Sequence, residues 1–277
     1  MSVLGEILAA KRASLDALRT DVATVGATST ERRAKGTLED RLARTDSEPL
    51  RLCCEHKRRS PSGGAFDTTL SLAERVSVYA RAGATLVSVL TDAPFFGGSW
   101  QDVSVARATL TAMGSPALVL AKEFVLDPVQ VRAARVYGAD AVLLIVRILD
   151  DSTLASLLAA TAAEGLSALV EVTSESELRR ALDCGARSIG VNARDLDTLA
   201  IDASRAARVL AAIPDEIRAV HLSGLKREAD VVELARGRAD GALVGECLMR
   251  EANPSALLAR FVAAARTPRV PGDLPIR

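Results

Sequence analysis

Short runs of Val, Leu, Ile and Ala recur along the chain, and in the stretches between them apolar residues return every three or four positions. Eight runs read as strands, at residues 50–55, 85–90, 117–121, 141–145, 168–172, 188–191, 218–222 and 241–244. Runs such as AVLLIV and SALVEV are continuous rather than alternating, which is the pattern of parallel strands covered on both faces. Helical spacing fills, among others, 72–81, 128–137, 154–164, 176–184 and 226–236. Glycine punctuates several helix-to-strand joins, at Gly83, Gly138, Gly185 and Gly241, where a chain leaving a helix takes the left-handed conformation that other residues resist. Strand and helix alternating over eight rounds predict an α/β fold, a closed (β/α)8 TIM barrel. A doubly wound sheet needs fewer strands and a G-x-G-x-x-G turn after the first, and none stands there.

The first 48 residues do not follow this rhythm. Residues 3–19 are amphipathic through Leu4, Ile7, Leu8, Leu15 and Leu18, which predicts one or two helices ahead of the first strand. Residues 21–30 are rich in Thr, Ser, Ala and Gly and read as a linker. The expected organisation is one barrel domain over 1–277, with 1–48 as a helical extension. At 49% hydrophobic and 25% charged residues, the chain is rich enough in apolar side chains for a sizeable core.

Thirty-five basic residues balance 35 acidic ones, so the global positive field that draws nucleic acid is missing. The basic cluster 57–59 has no interleaved aromatics and runs into a Ser-Pro-Ser-Gly-Gly turn. The longest apolar run, 141–146, is far below the ~20 residues that span a bilayer. Glu6 interrupts the N-terminal apolar stretch and no cleavage pattern follows, so the cytoplasm is the expected compartment. Cys53, Cys54, Cys184 and Cys247 lack zinc-site spacing, and with only His56 and His221 beside them they read as buried small hydrophobes rather than metal ligands.

In such a barrel the chemistry gathers at the C-terminal ends of the strands. The first strand ends in Glu55-His56-Lys57, where two-residue periodicity aims Glu55 and Lys57 into the mouth and His56 away. The third places Lys122 at its lip, and the sixth ends in Asn192 and Arg194 two residues apart. Glu171 lies inside an otherwise apolar run, so it must be paired, protonated or functional. Ser223-Gly224 and Gly245-Glu246, after the seventh and eighth strands, stand where barrels hold a phosphate with backbone N–H groups, though each also reads as a tight turn. Any one of these residues alone fits a structural ion pair, and their convergence on one mouth favours catalysis.

Together these segments resemble the indole-3-glycerol phosphate synthase family over nearly the whole chain. The likeness is carried by Cys54-Glu55-His56-Lys57-Arg58-Arg59-Ser60-Pro61-Ser62, by Ser88-Val89-Leu90-Thr91-Asp92 with Phe95-Phe96-Gly97-Gly98, and by Leu120-Ala121-Lys122-Glu123-Phe124. It continues through Leu169-Val170-Glu171-Val172 and Gly190-Val191-Asn192-Ala193-Arg194-Asp195-Leu196. The resemblance implies closure of an indole ring from 1-(o-carboxyphenylamino)-1-deoxyribulose 5-phosphate, with loss of CO2 and water and no metal or organic cofactor. It implies Lys122 as the general acid, Glu171 as the general base of dehydration, Lys57 as a substrate-contacting lysine with a second acid role, and Glu55 as its ion-pair partner. It also implies Asn192 and Arg194 holding polar groups, Leu90, Phe96 and Leu196 as walls around the anthranilate ring, and Ser62, Ser223, Gly224, Gly245 and Glu246 on the phosphate side.

The family pattern at the seventh strand is close to S-E-S-G, and here Leu222 stands at the glutamate position. Thr173 replaces a usual His, and Cys54 and His56 replace aliphatic residues. Leu222 keeps open a paralogue that takes a different amino-ketose phosphate or performs part of the sequence, or an impaired binding protein. The partner expected is a small phosphorylated molecule, bound by a monomer or weak homo-oligomer without nucleic acid or membrane.

Overall fold

The computed structural model describes residues 2–26, 36–66 and 69–270. Two helices come first, α1 (Val3–Gly26) and α2 (Leu38–Leu42). Strand β1 (Arg51–His56) leads into a small hairpin, β2 (Arg59–Ser60) against β3 (Gly64–Ala65), and then α3 (Leu72–Arg81). The chain continues through β4 (Leu86–Leu90), α4 (Ala93–Phe96), α5 (Trp100–Ala112), β5 (Leu118–Lys122), α6 (Pro128–Val136), β6 (Ala141–Ile145) and α7 (Asp151–Ala163). It ends with β7 (Ser167–Val172), α8 (Glu175–Asp183), β8 (Ser188–Asn192), α9 (Ala203–Ala211), β9 (Arg218–Leu222), α10 (Glu228–Arg236), β10 (Gly241–Val244), α11 (Glu246–Met249) and α12 (Ser255–Ala265). β1, β4, β5, β6, β7, β8, β9 and β10 pair in that order, all parallel, and β10 returns to β1 to close the barrel.

Neighbouring residues of a strand feed two different cores, which is why the strands read as unbroken apolar runs. Cys53, Leu86, Leu120, Leu143, Leu169 and Leu243 point inside the barrel. Cys54, Val87, Val119, Val142, Val170 and Ile189 face the surrounding helices. The interior is stoppered at its N-terminal end by Leu38 and Leu42 of α2, both 0% exposed, and touched at the other end by Leu4 and Ile7 of α1. Helix starts are fixed locally. Ser71 accepts from the Glu74 N–H while Glu74 accepts from the Ser71 N–H, and Asp127 and Gln130 exchange the same pair of bonds.

Three expectations change. Residues 21–26, read as linker, belong to α1, because Val22 and Val25 carry its apolar stripe past Leu18 onto Ala133 and Val136; residues 27–30 lie outside the described residues. Gly83, Gly138 and Gly185 take positive φ as expected, but Gly241 does not. It opens β10, where a Cβ would press on Leu42 and on the Arg51 carbonyl at 3.1 Å. Cys53 and Cys54 are buried, whereas Cys184 and Cys247 are only half-buried. Among the described residues no helix is long and apolar enough to cross a membrane.

His56 and His221 are both buried in the wall. Among the described residues neither ring nitrogen of His56 has a hydrogen-bond partner, and His221 donates from Nε2 to the Ser223 carbonyl at 2.9 Å. Burial pushes both imidazoles down from 6.5 to about 4. The unfolded chain therefore binds more protons between these values, so stability is full above pH 6.5 and is lost as pH falls toward 4. Each histidine contributes at most about 3 kcal/mol to that loss. Calorimetry across this window should show a falling thermal midpoint, and His56→Leu should flatten the slope.

Candidate active site

A cavity of about 450 Å³ opens at the C-terminal end of the barrel strands. It is lined by every residue that the sequence proposes for catalysis or substrate binding: Glu55, Lys57, Ser62, Leu90, Phe96, Lys122, Glu171, Asn192, Arg194, Leu196, Leu222, Ser223, Gly224, Gly245 and Glu246. Parallel strands of matched register bring them together, since Leu90 pairs with Lys122, Ile145 with Glu171 and Asn192 with Leu222.

Two acid–base pairs occupy the mouth. The Lys57 Nζ donates to Glu55 Oε1 at 2.6 Å. Burial alone would raise the Glu55 carboxyl, but the ammonium groups of Lys57 and Lys122 hold it below its ordinary value. Lys122 Nζ lies 3.8 Å from Glu171 Oε2. The other oxygen, Oε1, accepts from Asn192 Nδ2 at 2.9 Å, and Asn192 Oδ1 accepts from Ser223 Oγ at 2.7 Å and from the Arg194 N–H at 3.0 Å. Glu171 is 1% exposed, and among the described residues its Oε2 has no hydrogen-bond partner and faces the Lys122 ammonium. Ser223 holds φ at +65°, a left-handed backbone uncommon for a side-chain-bearing residue, ahead of Gly224.

The apolar side is built by Leu90, Phe96, Phe124, Ile145, Leu196 and Leu222. Phe96 rides on α4, whose N-cap Asp92 accepts from the N–H groups of Phe95 and Phe96. Gly98 closes that turn so tightly that a Cβ would lie 2.0 Å from the Leu90 carbonyl oxygen. Phe96 and Phe124 approach at 6.1 Å between ring centroids. Leu222 is 2% exposed and fills the space above Gly190, where a Cβ would come within 2.6 Å of its Cδ1.

The structure adds lining residues that the sequence did not disclose. Val3, Leu4 and Ile7 of α1 reach the cavity, as do Phe124, Lys226, Cys247 and Arg250. Arg250 donates to Glu246 Oε1 at 2.8 Å and stacks over Phe66, 5.3 Å from its centroid, while Arg194 stands 3.9 Å from Glu246. Burial would raise the Glu246 carboxyl, but Arg250, Lys57 and Arg194 hold it down. Burial pushes the Cys247 thiol up to about 11, which keeps it protonated and unreactive. Thr173 takes no place in the cavity; its hydroxyl donates to Glu177 at 2.8 Å.

Residues 4–261 match the family model described as indole-3-glycerol phosphate synthase. A protein of that name from Kineococcus radiotolerans is 44% identical over 86% of this chain and 84% of its own. Another from Beutenbergia cavernae is 40% identical over 97% of both chains. Among solved structures, 3-hexulose-6-phosphate synthase from Salmonella typhimurium superposes with a TM-score of 0.58 at 16% identity, covering 78% of this chain and 98% of the other. Thiamine phosphate pyrophosphorylase from Pyrococcus furiosus gives 0.58 at 15% identity, covering 79% and 96%, so the barrel is shared where the sequence is not. With the whole-chain match and the mouth geometry in agreement, the chain belongs to the indole-3-glycerol phosphate synthase family.

Proposed function

We propose that the chain closes the indole ring of 1-(o-carboxyphenylamino)-1-deoxyribulose 5-phosphate by general acid–base catalysis. Besides family membership, the observation that carries this proposal is the Lys122–Glu171 pair, an ammonium facing a buried carboxylate oxygen that has no hydrogen-bond partner among the described residues. The ring carbon bearing the carboxylate attacks the ketone carbon, and Lys122 protonates the ketone oxygen as the bond forms. Loss of CO2 returns its electron pair to the ring. The hydroxyl then leaves as water while Glu171 takes the proton from the neighbouring carbon.

Lys57, fixed by Glu55, faces the anionic groups of the substrate and serves as the second acid, and Asn192 and Arg194 hold its polar atoms. Leu90, Phe96 and Leu196 enclose the arene. Ser62, with the backbone of Ser223, Gly224, Gly245 and Glu246, receives the phosphate. The cavity volume falls within the ~300–1,000 Å³ common for small-molecule sites. On this proposal residues 1–277 form one barrel domain with 1–48 as its extension, acting in the cytoplasm as a monomer or weak homo-oligomer.

Leu222 favours one second reading, a changed amino-ketose phosphate, because the wall beside Asn192 offers no hydrogen bond where the family pattern has a carboxylate. Purified protein mixed with the ribulose phosphate should produce indole fluorescence continuously. Silence from folded protein would overturn the substrate assignment and move the search to other arylamino-ketose phosphates.

A further inference from the structure

Lys11 has no part in the chemistry above, yet it is buried at the mouth. On α1 it occupies the same stripe as Leu4, Ile7, Leu18 and Val22, and it is 8% exposed. Its Nζ lies 2.9 and 3.0 Å from the two oxygens of Glu123 and 3.0 Å from Asp92 Oδ2. Asp92, 0% exposed, uses its Oδ1 to cap the helix that carries Phe96, at 2.7 Å from the Phe95 nitrogen and 3.2 Å from that of Phe96. Glu123 follows Lys122 directly, accepts from Thr91 Oγ1 at 2.7 Å, and receives the Phe124 N–H at 2.8 Å. One ammonium thus joins three elements that line the cavity: α1, the α4 turn and the segment after β5.

We propose that Lys11 is a positioning residue: by bridging Asp92 and Glu123 it pins α1 across the barrel mouth, keeps Phe96 and Phe124 in place, and so sets how tightly the substrate is held rather than how fast it reacts. Exposed ion pairs contribute little, but removing one partner of a buried group leaves the remaining charges uncompensated. Here two carboxylates share one cation, so its loss leaves like charges facing each other. The charged groups that act on Lys11 are Asp92, from the cap of α4, and Glu123, from the segment after β5. Thr91 is their neutral partner. On the same side Arg58 is engaged by Asp102, and Arg59 donates to the Ala93 and Pro94 carbonyls.

The binding half of the proposal rests on the substrate assigned above; the seating of α1 does not. In Lys11→Met, KM should rise about tenfold with kcat within about twofold of wild type. Asp92 and Glu123 would then share a site without a cation, so like charges face each other whenever both are ionised. KM should therefore climb with pH more steeply than in wild type. Lys11→Met/Glu123→Gln, which leaves one carboxylate, should recover most of the affinity and flatten the profile. Trp100, the sole tryptophan, packs against the cluster that Leu18 and Val22 of α1 form with Ala133 and Val136, and so reports on the seat of the helix without substrate. Acrylamide should quench its fluorescence more strongly in Lys11→Met than in wild type. Unchanged KM and quenching would overturn the proposal. So would a fall in kcat at constant KM, or a lowered thermal midpoint with a flat pH profile. If wild-type protein turns over no substrate, the assigned function fails while the quenching comparison still tests the seat of α1.

Discussion

Lys122→Met is expected to lower kcat by about 10²–10⁴-fold, the range a positioned general acid supplies. Methionine keeps the length and apolar stem of lysine, so the walls around position 122 stay filled while the proton donor disappears. The Lys122 side chain is 20% exposed and 3.8 Å from Glu171, too loose a pair to hold the barrel together. The thermal midpoint should therefore move little. Without the donor the ring carbon cannot complete its attack, so neither CO2 nor indole fluorescence should appear in a single turnover. Retention of more than about a tenth of wild-type kcat would remove Lys122 from the acid role.

Glu171→Gln separates the two halves of the reaction. Glutamine still accepts the Asn192 Nδ2 hydrogen bond that now ends on Oε1, so the network through Asn192 to Ser223 keeps its shape. What is lost is a proton acceptor, at a cost of about 10²–10³-fold in kcat. If Glu171 serves only the dehydration, this variant should release about one equivalent of CO2 per site in a single turnover while indole fluorescence lags far behind. Simultaneous loss of both signals would place Glu171 at the first bond-forming step instead. The substitution also replaces a buried carboxylate with a neutral amide, so stability should hold or rise slightly.

The strands were legible because nearly every residue of the barrel is covered, whichever face it takes, the exceptions lying at strand ends. The eight runs fall within two residues of the observed strands at either end, and the last residue of β5 is Lys122 itself. Mouth residues were legible for the same reason: a polar group that ends an apolar strand has few other reasons to be there. Lys11 was hidden because a lysine on an amphipathic helix reads as a solvated one, and its partner Glu123 is 112 positions away. The informative sign was its place in the stripe of Leu4, Ile7, Leu18 and Val22, where an apolar side chain was due. Arg250 follows α11, whose four residues are too few for a periodicity to read, and Lys226 begins a helical run whose polar side chains read as a solvated face. The end of α1 was missed because Thr and Gly masked the continuing spacing of Val22 and Val25.

Among the described residues, the leucines of α2 close the lower end of the barrel and the site opens only at its mouth. Whatever is made behind Lys122 and Glu171 must retreat along the route its precursor took, past Phe96, Phe124 and the start of α1. Traffic through such a dead-end chamber is sequential, so a molecule that lingers at the threshold excludes the next. The residues that shape the threshold therefore govern how a molecule is admitted and held, even though they touch no reacting atom.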